Sequence, residues 1–259
     1  MKYFLIVAAT LLPAITAANA QDSAGTRVRV GLGAQVKPDF AGSDSLDVAP
    51  LFDLDTARGT NEFKFEAPDY SFGIPVVNTG AFEFGPAFNL ASGRKPSDID
   101  LPLHKVKRTI EAGGYASYQV GKSLFLRAEV LKGLGGHKGI IGTIGADQVW
   151  RDGDKYVFSI GPRLLFSDGR YQRAYFGVTP AEALATGLPA YRPSGGFQGV
   201  ALASGLSYQF NPTWGMFGYA RYERLVGDAA DSPIVRSGFG SRNQLSGGIG
   251  LNYTFTMHR

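Results

Sequence analysis

The sequence contains no cysteine, which removes a disulfide framework, a thiolate metal site and a Cys nucleophile at once. Histidine is nearly as scarce, with only His104, His137 and His258 present. No pair of them has metal-ligand spacing, and none falls beside a serine on an expected strand, so neither metal ligation nor Ser-His hydrolysis finds its residues. His104 and His137 fall in expected connections and read as solvated loop histidines. Charged residues are 19% of the 259, below the roughly 25% usual in soluble domains. The 26 Lys+Arg and 22 Asp+Glu are interspersed, with no basic run, and that pattern excludes a nucleic-acid partner. A long helical span is missing too. The uncharged stretch Pro193–Ala220 is broken by glycines and by the turn signal Asn211-Pro212, so it reads as two strands.

The first residues form a secretory leader. Lys2 supplies the positive start, Tyr3–Ile15 the apolar stretch and Ala18-Asn19-Ala20 an A-x-A cleavage site. The apolar part falls short of the ~20 residues that a spanning helix needs. The expected organisation is therefore a signal peptide over 1–20 and one β-barrel domain over 21–259, exported to the cell outer membrane.

Glycine (35 residues) and aromatics (12%) are abundant, a composition suited to strands with aromatic girdles and poorly suited to helices. Period-two alternation recurs. Val28, Val30, Leu32, Ala34 and Val36 alternate with Arg27, Arg29, Gly31, Gly33, Gln35 and Lys37. Leu245, Gly247, Ile249, Leu251, Tyr253 and Phe255 alternate with small or polar residues. Such runs exceed the usual 5–6 residues of globular strands and match the 9–11 that a tilted transmembrane strand requires. Strands are expected over 27–37, 46–55, 60–67, 69–77, 80–91, 106–120, 122–133, 138–151, 154–167, 197–210, 213–226 and 241–255. The reading is an all-β, antiparallel, up-and-down transmembrane barrel of about 12 strands, or 10 if the stretch 60–77 is counted differently. Short periplasmic turns include Gly121, Asp152-Gly153 and Asn211-Pro212. Longer extracellular loops span 38–45, 92–105, 168–196 and 227–240. The inward face collects Arg27, Arg29, Arg127, Arg163 and Arg221 with Asp53, Glu66, Glu111, Glu129 and Asp147. That mixed sign predicts a salt-bridge network rather than an ion-selective channel.

The final strand carries Ser246, Gly248, Leu251, Tyr253 and Phe255. This spacing resembles the signal by which the outer-membrane barrel assembly machinery recognises its substrates, and Thr256–Arg259 read as a short disordered tail beyond it. Two loop stretches go further. Tyr175-Phe176-Gly177-Val178-Thr179-Pro180-Ala181-Glu182 with Gly187-Leu188-Pro189-Ala190-Tyr191, and Leu225-Val226-Gly227-Asp228-Ala229-Ala230-Asp231-Ser232-Pro233-Ile234-Val235, resemble signatures of the MipA/OmpV family. That resemblance implies an outer-membrane barrel without a catalytic motif or cofactor. It implies a scaffold that joins a lytic transglycosylase to a penicillin-binding protein, or an envelope-integrity or adhesion factor. A narrow pore for small solutes is the alternative. The candidate mouth residues are Tyr175, Phe176, Pro180, Leu188, Pro189, Tyr191, Asp228, Asp231 and Pro233. A short helix is expected over Pro180–Thr186, closed by Gly187. Asp228, Asp231 and Arg236 are expected to tie the second loop to Arg192 or Arg242. The 168–196 loop is expected to fold inward, packing Tyr175, Phe176 and Tyr191 against 227–240 and narrowing the lumen.

Overall fold

The computed structural model describes residues 25–99 and 101–258; the leader expected over 1–20 lies outside them. Ten long strands of 10–15 residues build the wall: β1 (Thr26–Pro38), β2 (Leu46–Arg58), β5 (Phe82–Ala91), β6 (Thr109–Val120), β7 (Leu124–Gly133), β8 (Ile140–Asp152), β9 (Tyr156–Ser167), β10 (Gly196–Gln209), β11 (Trp214–Leu225) and β12 (Asn243–Met257). Two-residue strands β3 (Phe72–Gly73) and β4 (Val77–Asn78) pair with β5. All pairings are antiparallel, and the sheet curls in the order β2-β1-β12-β11-β10-β9-β8-β7-β6-β5-β3.

The alternation sorts side chains as the sequence predicts. The outward face is apolar and open, with Phe52 72% and Leu32 63% exposed, as a lipid-facing wall requires. Aromatics gather outward near the short-turn end. Trp214 and Tyr253 have ring centroids 5.0 Å apart, Trp150 and Phe158 5.7 Å, at the depth where amphipathic rings settle in a bilayer. β12 continues to Met257, which pairs with Thr26. Of the tail expected after Phe255, Thr256 and Met257 thus continue the strand, because β1 extends a ladder for them.

The expected strands over 60–67 and 69–77 are corrected. Residues 61–71 leave the wall, and 72–78 contribute only β3 and β4. Gly59 turns at φ 55°, and the chain then climbs the lumen. Phe63 lies under the guanidiniums of Arg27 and Arg29, at 4.8 and 4.6 Å from its ring centroid. Phe65 meets inward Phe125 at 4.8 Å. Small wall residues make room: a Cβ on Gly145 would collide with the Tyr70 hydroxyl, and one on Gly205 would lie 2.9 Å from Pro68 Cδ. The withdrawal has a topological consequence. With 60–67 gone, β2 and the 72–78 segment run in the same direction at the two sheet edges. Among the described residues no ladder joins them.

The chain's lack of cysteine makes this path directly testable. A Pro68→Cys/Gly205→Cys double variant is expected to form a disulfide on oxidation, since the contact lies within disulfide reach. A Pro68→Cys/Gly142→Cys pair, with Gly142 on the outward face of β8, is expected not to. Equal cross-linking of both pairs, read by gel mobility without reductant, would contradict an intraluminal 60–71 segment.

Candidate functional site: a filled lumen under a loop cap

The intraluminal segment is held by charge. Arg163 on β9, fully buried, is gripped by both oxygens of Asp69 at 2.8 and 3.0 Å and by Asp147 at 2.8 Å, while Tyr70 stacks on its guanidinium at 4.4 Å. Arg127 on β7 meets Glu66 at 2.8 Å and the Ser71 carbonyl at 2.9 Å, and lies over the Tyr115 ring at 4.1 Å. Ser71 in turn donates to Glu129 at 2.5 Å. Lower in the lumen, Arg151 pairs with Glu62 at 3.0 Å and donates to the Phe63 carbonyl at 3.1 Å. Arg27 pairs with Asp154 at 2.9 Å, and Lys64 pairs with Glu83. Burying an ion costs several kcal/mol unless its partners surround it. The bidentate Asp69–Arg163 geometry meets that condition.

Above this filling sits the cap. Helix α1 (Gly169–Phe176) is capped by Asp168, whose side chain accepts from the Arg170 and Tyr171 amides. Helix α2 (Pro180–Thr186) has a full capping box of Thr179 and Glu182 and ends at Gly187 with φ 77°. Helices α3 (Gly227–Asp231) and α4 (Pro233–Arg236) face them. An apolar cluster joins the loops, including Phe40, Leu103, Tyr175, Phe176, Ala229 and Ile234. The Tyr175 hydroxyl donates to the Ser92 carbonyl at 2.5 Å, and the Ser232 hydroxyl to the Phe176 carbonyl at 2.7 Å. Arg94, buried, donates to the carbonyls of Tyr175, Ala174 and His104 at 2.6, 3.3 and 3.3 Å. Burial pushes the Arg94 guanidinium down to about 10, with Glu182 opposing.

The loop residues marked out by the sequence therefore meet. Tyr175 and Phe176 are in the cap core, with Leu188 and Tyr191 packed against it. Pro180 and Pro233 each start a helix, Pro189 lies in the connection that follows α2, and the Tyr191 hydroxyl donates to the Asp228 carbonyl at 2.9 Å. The Asp228 carboxylate takes Ser194 at 2.7 Å rather than the expected arginine, whereas Asp231 meets Arg236 and, at 3.5 Å, Arg242. In β12, Leu251, Tyr253 and Phe255 face outward. Gly248 lies against Gln35, whose Oε1 accepts from the Tyr219 hydroxyl at 2.6 Å, and Ser246 stands opposite Arg221 in the ladder.

One further expectation gives way, for His137, whereas His104 stays exposed in its loop. His137 is not solvated: it is buried, its Nε2 2.9 Å from Glu111 and its ring 4.9 Å from Tyr171. His104 Nδ1 lies 2.8 Å from Glu182. Among the described residues no Ser or Thr hydroxyl bonds either imidazole ring. Sequence reasoning also missed the intraluminal segment, whose Glu62-Phe63-Lys64-Phe65-Glu66 alternates like a wall strand. The available signals were Pro68, which breaks the alternation, and the shortness of the segment.

Removing one partner of a buried ion pair costs about 3–5 kcal/mol. Asp69→Ala is accordingly expected to lower the temperature at which the folded gel band converts to the unfolded one. Asp69→Ala/Arg163→Met should recover part of the loss; an unchanged transition in the single variant would remove the pair's structural role. A second test concerns pH. Burial alone would raise the Glu182 carboxyl, but hydrogen bonds from Thr179 and His104 overcome it and hold the group at about 2, below its usual 4.5. A depressed acid stabilises the fold above its unfolded value and loses that contribution as pH falls through the folded one. Amide protection in α2, taken relative to intrinsic exchange at each pH, should therefore fall between about pH 4.5 and 2, and Glu182→Gln should flatten this response. Acid-insensitive protection in the unsubstituted protein would count against the tether.

Comparison with known proteins places this architecture. The profile of the family described as MltA-interacting protein MipA matches residues 30–255. The MltA-interacting proteins of Escherichia coli (strain K12) and Shigella flexneri are each 38% identical over 61 residues, a stretch covering 24% of this chain and 24% of theirs. The chain thus aligns with about a quarter of those relatives' length. Among solved structures, OmpT of Vibrio cholerae is 10% identical with a TM-score of 0.35, covering 91% of this chain and 99% of that one. The N-terminal β-barrel domain of Pseudomonas aeruginosa OprF is 12% identical with a TM-score of 0.27, covering 68% and 97%. With the profile spanning nearly the whole described chain, this outer-membrane β-barrel belongs to the MltA-interacting protein MipA family.

Proposed function

We propose that the protein acts as a filled, non-conducting barrel: a non-enzymatic scaffold of the outer membrane that presents surfaces to murein enzymes rather than conducting solutes. The observation that carries this reading is the lumen crossed by residues 60–71 and anchored there by the Arg163–Asp69 and Arg127–Glu66 pairs. A conduit would need an unobstructed hydrated path. The cap core over the mouth adds a second layer.

The relatives' name, MltA-interacting protein, supports a lytic transglycosylase as one partner. The family resemblance adds a penicillin-binding protein. Both would meet the barrel at its short-turn end, where a vestibule of about 660 Å³ opens between Phe63, Asp154, Asn211 and Tyr253. In this reading the 1–20 leader exports the chain, and Leu251, Tyr253 and Phe255 present the outward face of β12 to the assembly machinery.

Immobilised, detergent-solubilised protein is expected to retain a lytic transglycosylase from solubilised envelopes, and planar bilayers containing it should show no stable conductance steps. Steps of fixed size without enzyme retention would overturn the scaffold and leave a narrow pore for small solutes.

A further inference from the structure

Cations are segregated at the long-loop rim, and the way they are segregated specifies a ligand. On the rim formed by β6 to β9, Arg108, Lys132 and Lys138 stand close together. The Ala112–Lys132 pairing puts Lys132 on the outward face with Ile110 and Val130. Arg108 lies two residues before Ile110, and Lys138 two before Ile140; both are exposed. The Leu134 amide donates to the Ile110 carbonyl at 2.8 Å, and the Gly133 amide to the Gly139 carbonyl at 2.9 Å, so the three cations belong to one continuous patch. Among the described residues none of them has a carboxylate within ion-pair distance. Asp168, which interacts electrostatically with Lys132 without forming an ion pair, has its carboxylate engaged by the backbone amides of α1. The opposite rim differs: there Asp231 meets Arg236 and Arg242, and Arg224 donates to Asn243.

Bare aliphatic wall surrounds Lys132: Ile110 and Leu134 lie nearer the rim, Ile140 pairs beside it and Val130 lies below it. Leu134 is 68% exposed, Ile110 60% and Val130 58%. Lysine stems can lie along such a surface while their ammonium groups reach the polar layer. Lys138 is also the one non-glycine residue among the described ones with positive φ, at 50°. A lysine stands there although glycine would adopt that backbone at less cost.

We infer that Arg108, Lys132 and Lys138, with the aliphatic wall among which they stand, form a binding site for a phosphate-bearing anionic lipid of the outer leaflet. Phosphate oxygens take the guanidinium and ammonium donors, and the acyl chains lie on Ile110, Val130, Leu134 and Ile140. The outward direction of the patch selects a lipid over a soluble anion. A site for free phosphate has no use for exposed aliphatics, and a lipid site needs both chemistries at adjoining depths.

Native mass spectrometry of the full-length protein after detergent exchange tests this. The probes are a bisphosphorylated disaccharide lipid (lipid A), its dephosphorylated counterpart, and glucose 6-phosphate as a phosphate without acyl chains. The unsubstituted protein is expected to retain the bisphosphorylated lipid at least tenfold over either alternative. Arg108→Ser/Lys132→Ser/Lys138→Ser should lose at least tenfold of that retention while keeping heat-modifiable migration, and Arg224→Ser on the opposite rim should behave as unsubstituted. Should the triple variant not fold, Lys132→Ser and Lys138→Ser singly, each expected to lose two- to threefold, take its place. Equal retention by the variants, equal retention of the dephosphorylated lipid, or equal binding of glucose 6-phosphate would each overturn the site.

Discussion

The grip of Arg163 on Asp69 is the contact from which the rest of this barrel follows. Arg163 projects from β9 into a space that water would otherwise fill, and its guanidinium is completely enclosed. An enclosed cation demands carboxylates. The wall offers Asp147 alone, two strand positions from Gly145 on the neighbouring β8. The second carboxylate comes from a segment that has left the wall, and Tyr70 beside it completes the enclosure from above. Arginine suits this position better than lysine, because its planar fork accepts a bidentate carboxylate and a stacked ring together.

Withdrawing that segment changes the wall. An up-and-down barrel closes because consecutive strands alternate in direction, so the first and last meet antiparallel. Here the strand that would have kept the alternation is spent on the interior, and β2 meets the 72–78 stretch running the same way. The consequence is a seam, and the space beside it, about 400 Å³, is lined by inward residues such as Arg29 and Ser159 and by outward ones such as Phe52 and Phe72. Filling the lumen and leaving the wall unzipped at one place are two aspects of one rearrangement.

This explains what could be read in the sequence and what could not. The ten long strands were legible because each must satisfy lipid outside and charge inside, and that double demand imprints period-two alternation along 10 to 15 residues. The helix over Pro180–Thr186 was legible from Pro180, Glu182 and Gly187, residues whose preferences are local. The 60–67 segment was not. Its phenylalanines and carboxylates alternate as a wall strand's would, and only the positions of Arg127, Arg151 and Arg163 on other strands show that its charges are wanted inside. Likewise His137 was expected to be solvated because it falls in a connection, as it does, yet it is buried there. Its burial depends on Glu111 and Tyr171, which lie far from it in sequence.

The distribution of packing explains why the loops carried the most specific resemblance. In a soluble domain, jigsaw packing sits within the secondary-structure layers, and the loops are free to vary. Here the wall faces fluid lipid, where most apolar side chains of suitable size serve, so positions such as Val48 or Leu251 hold little information beyond hydrophobicity. The close-packed apolar core lies instead in the cap, where Phe40, Tyr175, Phe176, Ala229 and Ile234 come from three separate loops and are almost fully enclosed. Ala229, with no exposed surface, leaves little room for a larger side chain. Ser232 satisfies the Phe176 carbonyl across the interface. The loop segments are therefore the part of this barrel that packs like a globular protein, and they are held to particular residues for the same physical reason a globular core is.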